Sequence, residues 1–160
     1  MSPDEDPAVT VCFVVTLDDM NLGAFNSCEG LGAEVVLEQR EEGGNNGFVW
    51  QLPTRIKYPN IKLTRPLGRG TEQVAAWFTS TLTAGARKTG AARTTGHITA
   101  KRGDGSVVAT WGLLDVIPVR WTGPSLNPET PKAATETLEI AHHGFLLTVP
   151  KDHLAAARKV

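Results

Sequence analysis

Short runs rich in β-branched and aromatic residues, cut by polar turns, recur along most of this 160-residue chain. Val11 to Leu17 (VCFVVTL) is the first and reads as a strand. Asp18-Asp19-Met20-Asn21 predicts a turn, Leu22 to Cys28 a second strand, and Gly30-Leu31-Gly32 its end. Ala33 to Arg40 sets Val35, Leu37 and Gln39 on one side and Val36, Glu38 and Arg40 on the other, the pattern of a half-exposed strand. Glu41 to Gly47 (EEGGNNG) has the composition of a polar loop and leads into a short extended piece, Phe48 to Leu52. Pro53 and Pro59 interrupt the next stretch, and Ile61 to Arg65 alternates again. Residues 41–60 thus read as a long excursion between two strands, of a kind that is usually functional or mobile.

The period then changes. In Thr71 to Ala84, Val74, Trp77, Phe78 and Leu82 fall on one stripe at helical spacing. Thr71 is placed to cap, Glu72 to complement the helix dipole and Gly85 to end the helix. Gly96 to Pro118 reads as a hairpin turning at Asp104-Gly105, with Val107, Ala109, Trp111 and Leu113 on its returning apolar face. Pro118 to Pro131 reads as loop, and Thr135 to Leu147 as a last long strand bent at Gly144. Six or seven strands and one helix predict a mainly β (α+β) domain, a small antiparallel barrel or sandwich with the helix at its flank. Its expected core includes Phe13, Val15, Phe25, Val74, Trp77, Phe78, Leu82 and Trp111. The domain spans 11–146, after an acidic, flexible start at 1–10 and before an extension at 147–160 that could form a short helix.

Charge sharpens this reading. The net charge is −1, yet residues 1–42 carry ten acids and only one base, Arg40, leaving 15 of the 16 bases and 7 of the 17 acids to the remainder. Between Glu42 and Glu72 there are bases (Arg55, Lys57, Lys62, Arg65, Arg69) and no acid. These charges can neutralise one another within one fold, or an acidic surface on one copy can face a basic surface on the next, which suits head-to-tail assembly. No apolar run approaches the roughly 18 residues of a membrane span. Met1 to Pro7 is acidic and polar, unlike a secretory signal, so direct membrane insertion is not expected.

Candidate chemistry is thin. Cys12 and Cys28 form no CxxC pair and read as small apolar residues, and Glu29 beside Cys28 would raise a thiol pKa. His142 and His143 point to opposite faces of an extended strand, and no HxH or HxxxH spacing occurs, so no metal site is expected. No serine stands in GxSxG, the carboxylate pairs Asp18/Asp19 and Glu41/Glu42 sit in polar turns, and no phosphate-binding glycine motif is present. Arg102-Gly103-Asp104 falls at a hairpin tip, where turn geometry alone explains it. The basic tracts Arg55–Arg69 and Arg87–Arg102 hold one aromatic residue between them, Tyr58, too few for a nucleic-acid stacking platform. No catalytic residue, cofactor or dedicated nucleic-acid site is expected.

The order of segments resembles the tail tube proteins of contractile-tailed bacteriophages, and in particular their relatives in phage-like contractile injection systems. Gly23-Ala24-Phe25 running into Glu29-Gly30-Leu31, then Glu41-Glu42-Gly43-Gly44-Asn45-Asn46, follow the family's pattern. So do Gln51-Leu52-Pro53 with Lys57-Tyr58-Pro59-Asn60-Ile61, the helix bearing Trp77-Phe78, and the closing Glu136-Thr137-Leu138-Glu139-Ile140-Ala141-His142-His143-Gly144-Phe145. The resemblance covers 11–146; the stretch 147–160 runs past the family's usual closing strand.

The resemblance implies a non-enzymatic tube protomer. Six copies would form a ring, rings would stack head to tail into a hollow tube inside a sheath, and baseplate and tube-capping proteins would be further partners. Residues 41–60 would reach a neighbouring ring, with Glu38, Glu41, Glu42, Asn45, Asn46, Arg55, Lys57, Tyr58, Lys62, Arg65 and Arg69 as interface candidates. Assembly would take place in a bacterial cytoplasm, as part of a phage tail or phage-like particle. A tube-initiating or tube-terminating baseplate protein of the same fold is an alternative, and a small β-barrel ligand-binding or enzymatic domain is another of a different class.

Overall fold

A computed structural model of the chain describes residues 12–18, 20–44, 47–86, 94–124, 128–129 and 134–146. The strands are β1 (Cys12–Leu17), β2 (Met20–Phe25), β3 (Ser27–Glu29), β4 (Glu34–Arg40), β5 (Trp50–Lys57), β6 (Ile61–Pro66), β7 (Gly96–Lys101), β8 (Val107–Leu113), β9 (Ile117–Thr122), β10 (Thr135–Ala141) and β11 (Phe145–Leu146). The helix α1 (Thr71–Ala86) lies between β6 and β7. The terminal segments 1–10 and 147–160 lie outside the described residues.

Two antiparallel sheets build the body, ordered β11-β8-β7-β1-β2 and β3-β6-β10-β9, and β4 and β5 form a separate two-stranded hairpin. Alternation creates the core. Val15 and Leu17 of β1 and Leu22 and Phe25 of β2 face Ile61 and Leu63 of β6 and Leu138 and Ile140 of β10, all buried. Val74 and Trp77 bring α1 into the same cluster, where the helix packs on β2 and β9. Of the expected core, Val15, Phe25, Val74 and Trp77 are buried, and Phe13, Phe78 and Trp111 pack against the cluster partly buried. The side chain of Leu82 lies outside the described set.

Four expectations about individual elements change. The run Leu22 to Cys28 is two strands, because the chain crosses at Asn26 from one sheet to the other; the Asn26 amide bonds the Thr64 carbonyl at 2.9 Å. The strand expected over Thr135 to Leu147 divides in the same way, β10 lying in one sheet and β11 in the other, with Gly144 at φ 134 between them. Pro118 opens no loop but lies within β9, opposite Ile140 at a bulge on the sheet's edge, where a missing amide hydrogen costs nothing. Thr71 does not cap through its oxygen; its hydroxyl donates to the Gly68 carbonyl at 3.0 Å, and the first turn closes from the Val74 amide to the Gly70 carbonyl. The Asp104-Gly105 turn forms as expected. Gly105 takes φ 86 and Asp104 accepts from both the amide and the hydroxyl of Ser106.

Candidate assembly surface

The largest departure lies in residues 41–60. Pro53 does not end the extended piece, and β5 runs from Trp50 to Lys57 through it. Its partner is β4, with Val35 opposite Ile56, Leu37 opposite Pro53 and Arg40 opposite Trp50. A register shift between Val36 and Leu37 takes up the proline, and the Thr54 hydroxyl satisfies the Val36 carbonyl at 2.8 Å. The excursion is therefore mostly the second strand of a hairpin arm, and of the residues that lead into it 41–44 and 47–49 lie in no strand. Among the described residues each of the arm's strands pairs with the other and with no third strand, and every β5 residue is exposed.

Alternation gives the arm two unlike faces. Val35, Leu37, Gln39, Gln51, Pro53 and Ile56 share one, which bears no charge. On it Val35, Leu37 and Ile56 are 49%, 48% and 57% exposed, unusual for such residues in a body of this size. The other face carries Glu34, Glu38, Arg40, Arg55 and Lys57, with Glu34 directly opposite Lys57. The acidic and basic tracts thus neutralise one another partly within one copy. Sequence reasoning placed Val35 and Leu37 on one side of a strand but missed that none of the described residues covers that side. The signal was present in the matching apolar positions 53 and 56 across the loop.

The interface candidates scatter from there. Glu38, Arg55 and Lys57 stand exposed on the arm, Glu41 and Glu42 are exposed in its loop, and Asn45 and Asn46 lie outside the described residues. Lys62 is exposed on β6, and Arg69 is exposed ahead of α1. Tyr58, half-buried at the arm's foot, meets His142 and Phe145 with ring centroids 5.3 and 5.8 Å away.

Arg65 requires correction: it is no surface residue. It is 6% exposed and paired with Glu136, itself 1% exposed. β6 alternates, and position 65 falls on the same inward side as Ile61 and Leu63. The guanidinium also bonds the Leu22 carbonyl and sits 4.4 Å over the Phe25 ring, while Trp121 Nε1 donates to Glu136 at 3.0 Å. One buried pair thereby ties β2, β6, β9 and β10 together. It also needs Gly70, where a Cβ would come within 2.7 Å of the guanidinium.

Among the described residues no group of three or more His, Cys, Asp or Glu converges as a metal site would require, and no helix is long and apolar enough to cross a membrane. His142 is buried against Gly144, and His143 faces outward to Asp115 at 3.2 Å. Burial, and then Glu29, push the Cys28 thiol up to about 11, which leaves it protonated and unreactive.

The described residues form an antiparallel sandwich with one flanking helix, a buried polar knot and an exposed two-stranded apolar arm, the frame of a structural tube-protein fold. The chain belongs to the T4-like virus tail tube protein gp19 family, whose model matches residues 9–146. Its role is structural and not catalytic, in a phage tail or a phage-like injection particle.

Solved structures carry the same fold. The chain superposes on a chain of the PVC extracellular contractile injection system, seen in its extended sheath-tube complex, with TM-score 0.72, 19% identity and coverage of 89% of this chain and 92% of that one. For a chain of the anti-feeding prophage tube-terminating cap the values are 0.71, 20%, 89% and 91%. For one from the anti-feeding prophage baseplate they are 0.70, 22%, 89% and 95%. Comparison with curated protein sequences finds no match.

Proposed function

We propose that this chain is the repeating protomer of the inner tube of a contractile tail or injection system. Six copies form a ring, and rings stack head to tail into a hollow tube enclosed by a sheath and closed by baseplate and capping proteins. The observation that carries the reading is the β4–β5 arm, whose uncharged apolar face has no packing partner among the described residues of its own protomer. Burying that face on a neighbouring ring removes Val35, Leu37 and Ile56 from water, at about 25 cal/mol for each Å² of apolar surface. Glu38, Arg55 and Lys57 on the arm's other face, with Glu41 and Glu42 in its loop, then set the partner and the register. Assembly takes place in the bacterial cytoplasm before the particle acts.

Electron microscopy tests this directly. Purified chain should form rings or tubes in negative stain, and antibody against it should decorate the whole shaft of native particles. Decoration at one end alone would instead identify a tube initiator or terminator. A persistent monomer would overturn the proposal.

A further inference from the structure

The β4–β5 arm stands on two narrow legs, 30–33 and 58–60. The legs cross at Gly30, which runs so close to the Asn60 carbonyl that no Cβ fits there. Below the crossing Asn60 Nδ2 donates to Glu139 Oε1 of β10 at 3.1 Å. Above it Tyr58 ties the arm to the body, its ring against His142 and Phe145.

His142 is held unequally on its two sides. Away from the arm, its corner is bonded to the turn between β8 and β9. The Leu114 amide donates to the Gly144 carbonyl at 2.9 Å, and the His143 amide to the Leu114 carbonyl at 2.8 Å. In the neutral ring Nδ1 accepts from the Gly144 amide at 3.2 Å, and Phe145 packs on the ring with centroids 5.1 Å apart. Toward the arm the contact is between rings, His142 against Tyr58.

This ring is poorly placed to take a second proton. It is 4% exposed, and its Nε2 is buried with no hydrogen-bond partner among the described residues. The titratable and charged groups around it offer no counter-charge. From its own segment His143 adds like charge when protonated, and that ring turns outward to Asp115 of the β8–β9 turn at 3.2 Å. The arm's foot contributes the Tyr58 phenol, and Glu139 is engaged by Asn60. Burial holds the His142 pKa below the ordinary histidine value. An unpaired buried charge is strongly disfavoured, and hydration relieves it. Backbone hydrogen bonds hold the side toward β8 and β9, so the side that yields is the one facing Tyr58.

We propose that His142 is an acid-sensitive latch for the arm. Neutral, it holds Tyr58, and with it the foot of the β4–β5 arm, against the body. Protonated, it releases Tyr58, admits water and lets the arm pivot above the crossing of Gly30 and Asn60. The released state takes up the proton near the ordinary value of 6.5, where the latched state does not. Each pH unit below that value therefore moves the balance about tenfold toward release, until the latched state is itself protonated. The latch belongs to a single protomer; its consequence, that acid loosens ring stacking, rests on the tube protomer reading.

Tyr58 is the only tyrosine in the chain, so isotope-labelled tyrosine gives it an NMR signal of its own. The chain is titrated from about pH 7.5 to about pH 5, with circular dichroism on the same samples. The signal should move from its ring-shifted position toward that of free tyrosine as pH falls below about 6.5, while the sheets stay folded. His142→Phe keeps an aromatic ring that cannot titrate and should hold Tyr58 in place across the range. His143→Gln should respond as wild type does. A wild-type signal that stays in place, a response that persists in His142→Phe or vanishes in His143→Gln, or release that comes only with loss of the dichroism would each overturn the latch. Should His142→Phe not fold, the wild-type and His143→Gln titrations decide. In negative stain, wild-type tubes should shorten at about pH 5.5 where His142→Phe tubes persist. Tubes that stay intact although Tyr58 is released would leave the latch standing and overturn the arm as the stacking surface.

Discussion

Tyr58 and His142 lie with ring centroids 5.3 Å apart and planes tilted by 47°, joining the foot of the arm to the corner between β10 and β11. Phe145 closes the group edge-on to both rings, and Gly144 leaves room for the phenol, since a Cβ there would lie 3.3 Å from its oxygen. Burial holds His142 below the ordinary histidine pKa, with a smaller contribution in the same direction from His143.

That depression has a definite sign. The unfolded chain takes up a proton at His142 near the ordinary value of 6.5, where the folded chain does not. Stability from the neutral ring is therefore complete above this pH and is lost as pH falls below it. The melting temperature should drop on acidification below about pH 6.5, and His142→Phe should flatten that dependence. Calorimetry over pH 5 to 8 is the check, and equal slopes for the two proteins would refute it.

The Arg65–Glu136 pair makes a second prediction. Glu136→Leu leaves a buried guanidinium without its counter-charge and should cost about 3–5 kcal/mol in urea unfolding. Arg65→Met combined with Glu136→Leu removes both charges and should be clearly milder than Glu136→Leu alone. A double variant as unstable as the single would mean that the packing of the side chains, not their charge, matters.

Trp77 is 5% exposed and packs edge-on to Phe78 at 6.3 Å between centroids, anchoring α1 over the two sheets. Trp77→Ala should lower stability by about 3–5 kcal/mol, as the cavity cannot collapse around a helix held at β2 and β9. An unchanged melting temperature would show that the helix contributes little to the core.

On the arm the expectation is reversed. Leu37→Ser with Ile56→Ser should cost the protomer about 1 kcal/mol or less, because both residues are already about half exposed and stand outside the core. Assembly into tubes should nevertheless fail. Tubes of normal length by electron microscopy would show that the apolar face is not a stacking surface.

Much of this protein is legible in its order of residues. The β-branched and aromatic run at 12–17, the alternating runs at 61–65, 96–101 and 107–113, and the 3.6-residue stripe through Val74 and Trp77 specify elements by local physics, since each needs only its own side chains. The family was legible for the same reason, from short segments between Gly23 and Phe145 in a fixed order. Pattern could not decide which faces meet. Arg65 reads as one more base in a basic tract until β10 brings Glu136 beside it from 71 residues away. Pro53 and Pro118 read as breakers until edge positions leave their missing amide hydrogens unneeded. Val35 and Leu37 read as half of a covered strand, and only the tertiary arrangement leaves them bare. Burial, ion pairing and edge position are properties of neighbours distant in sequence, so they are set when the sheets close and not before.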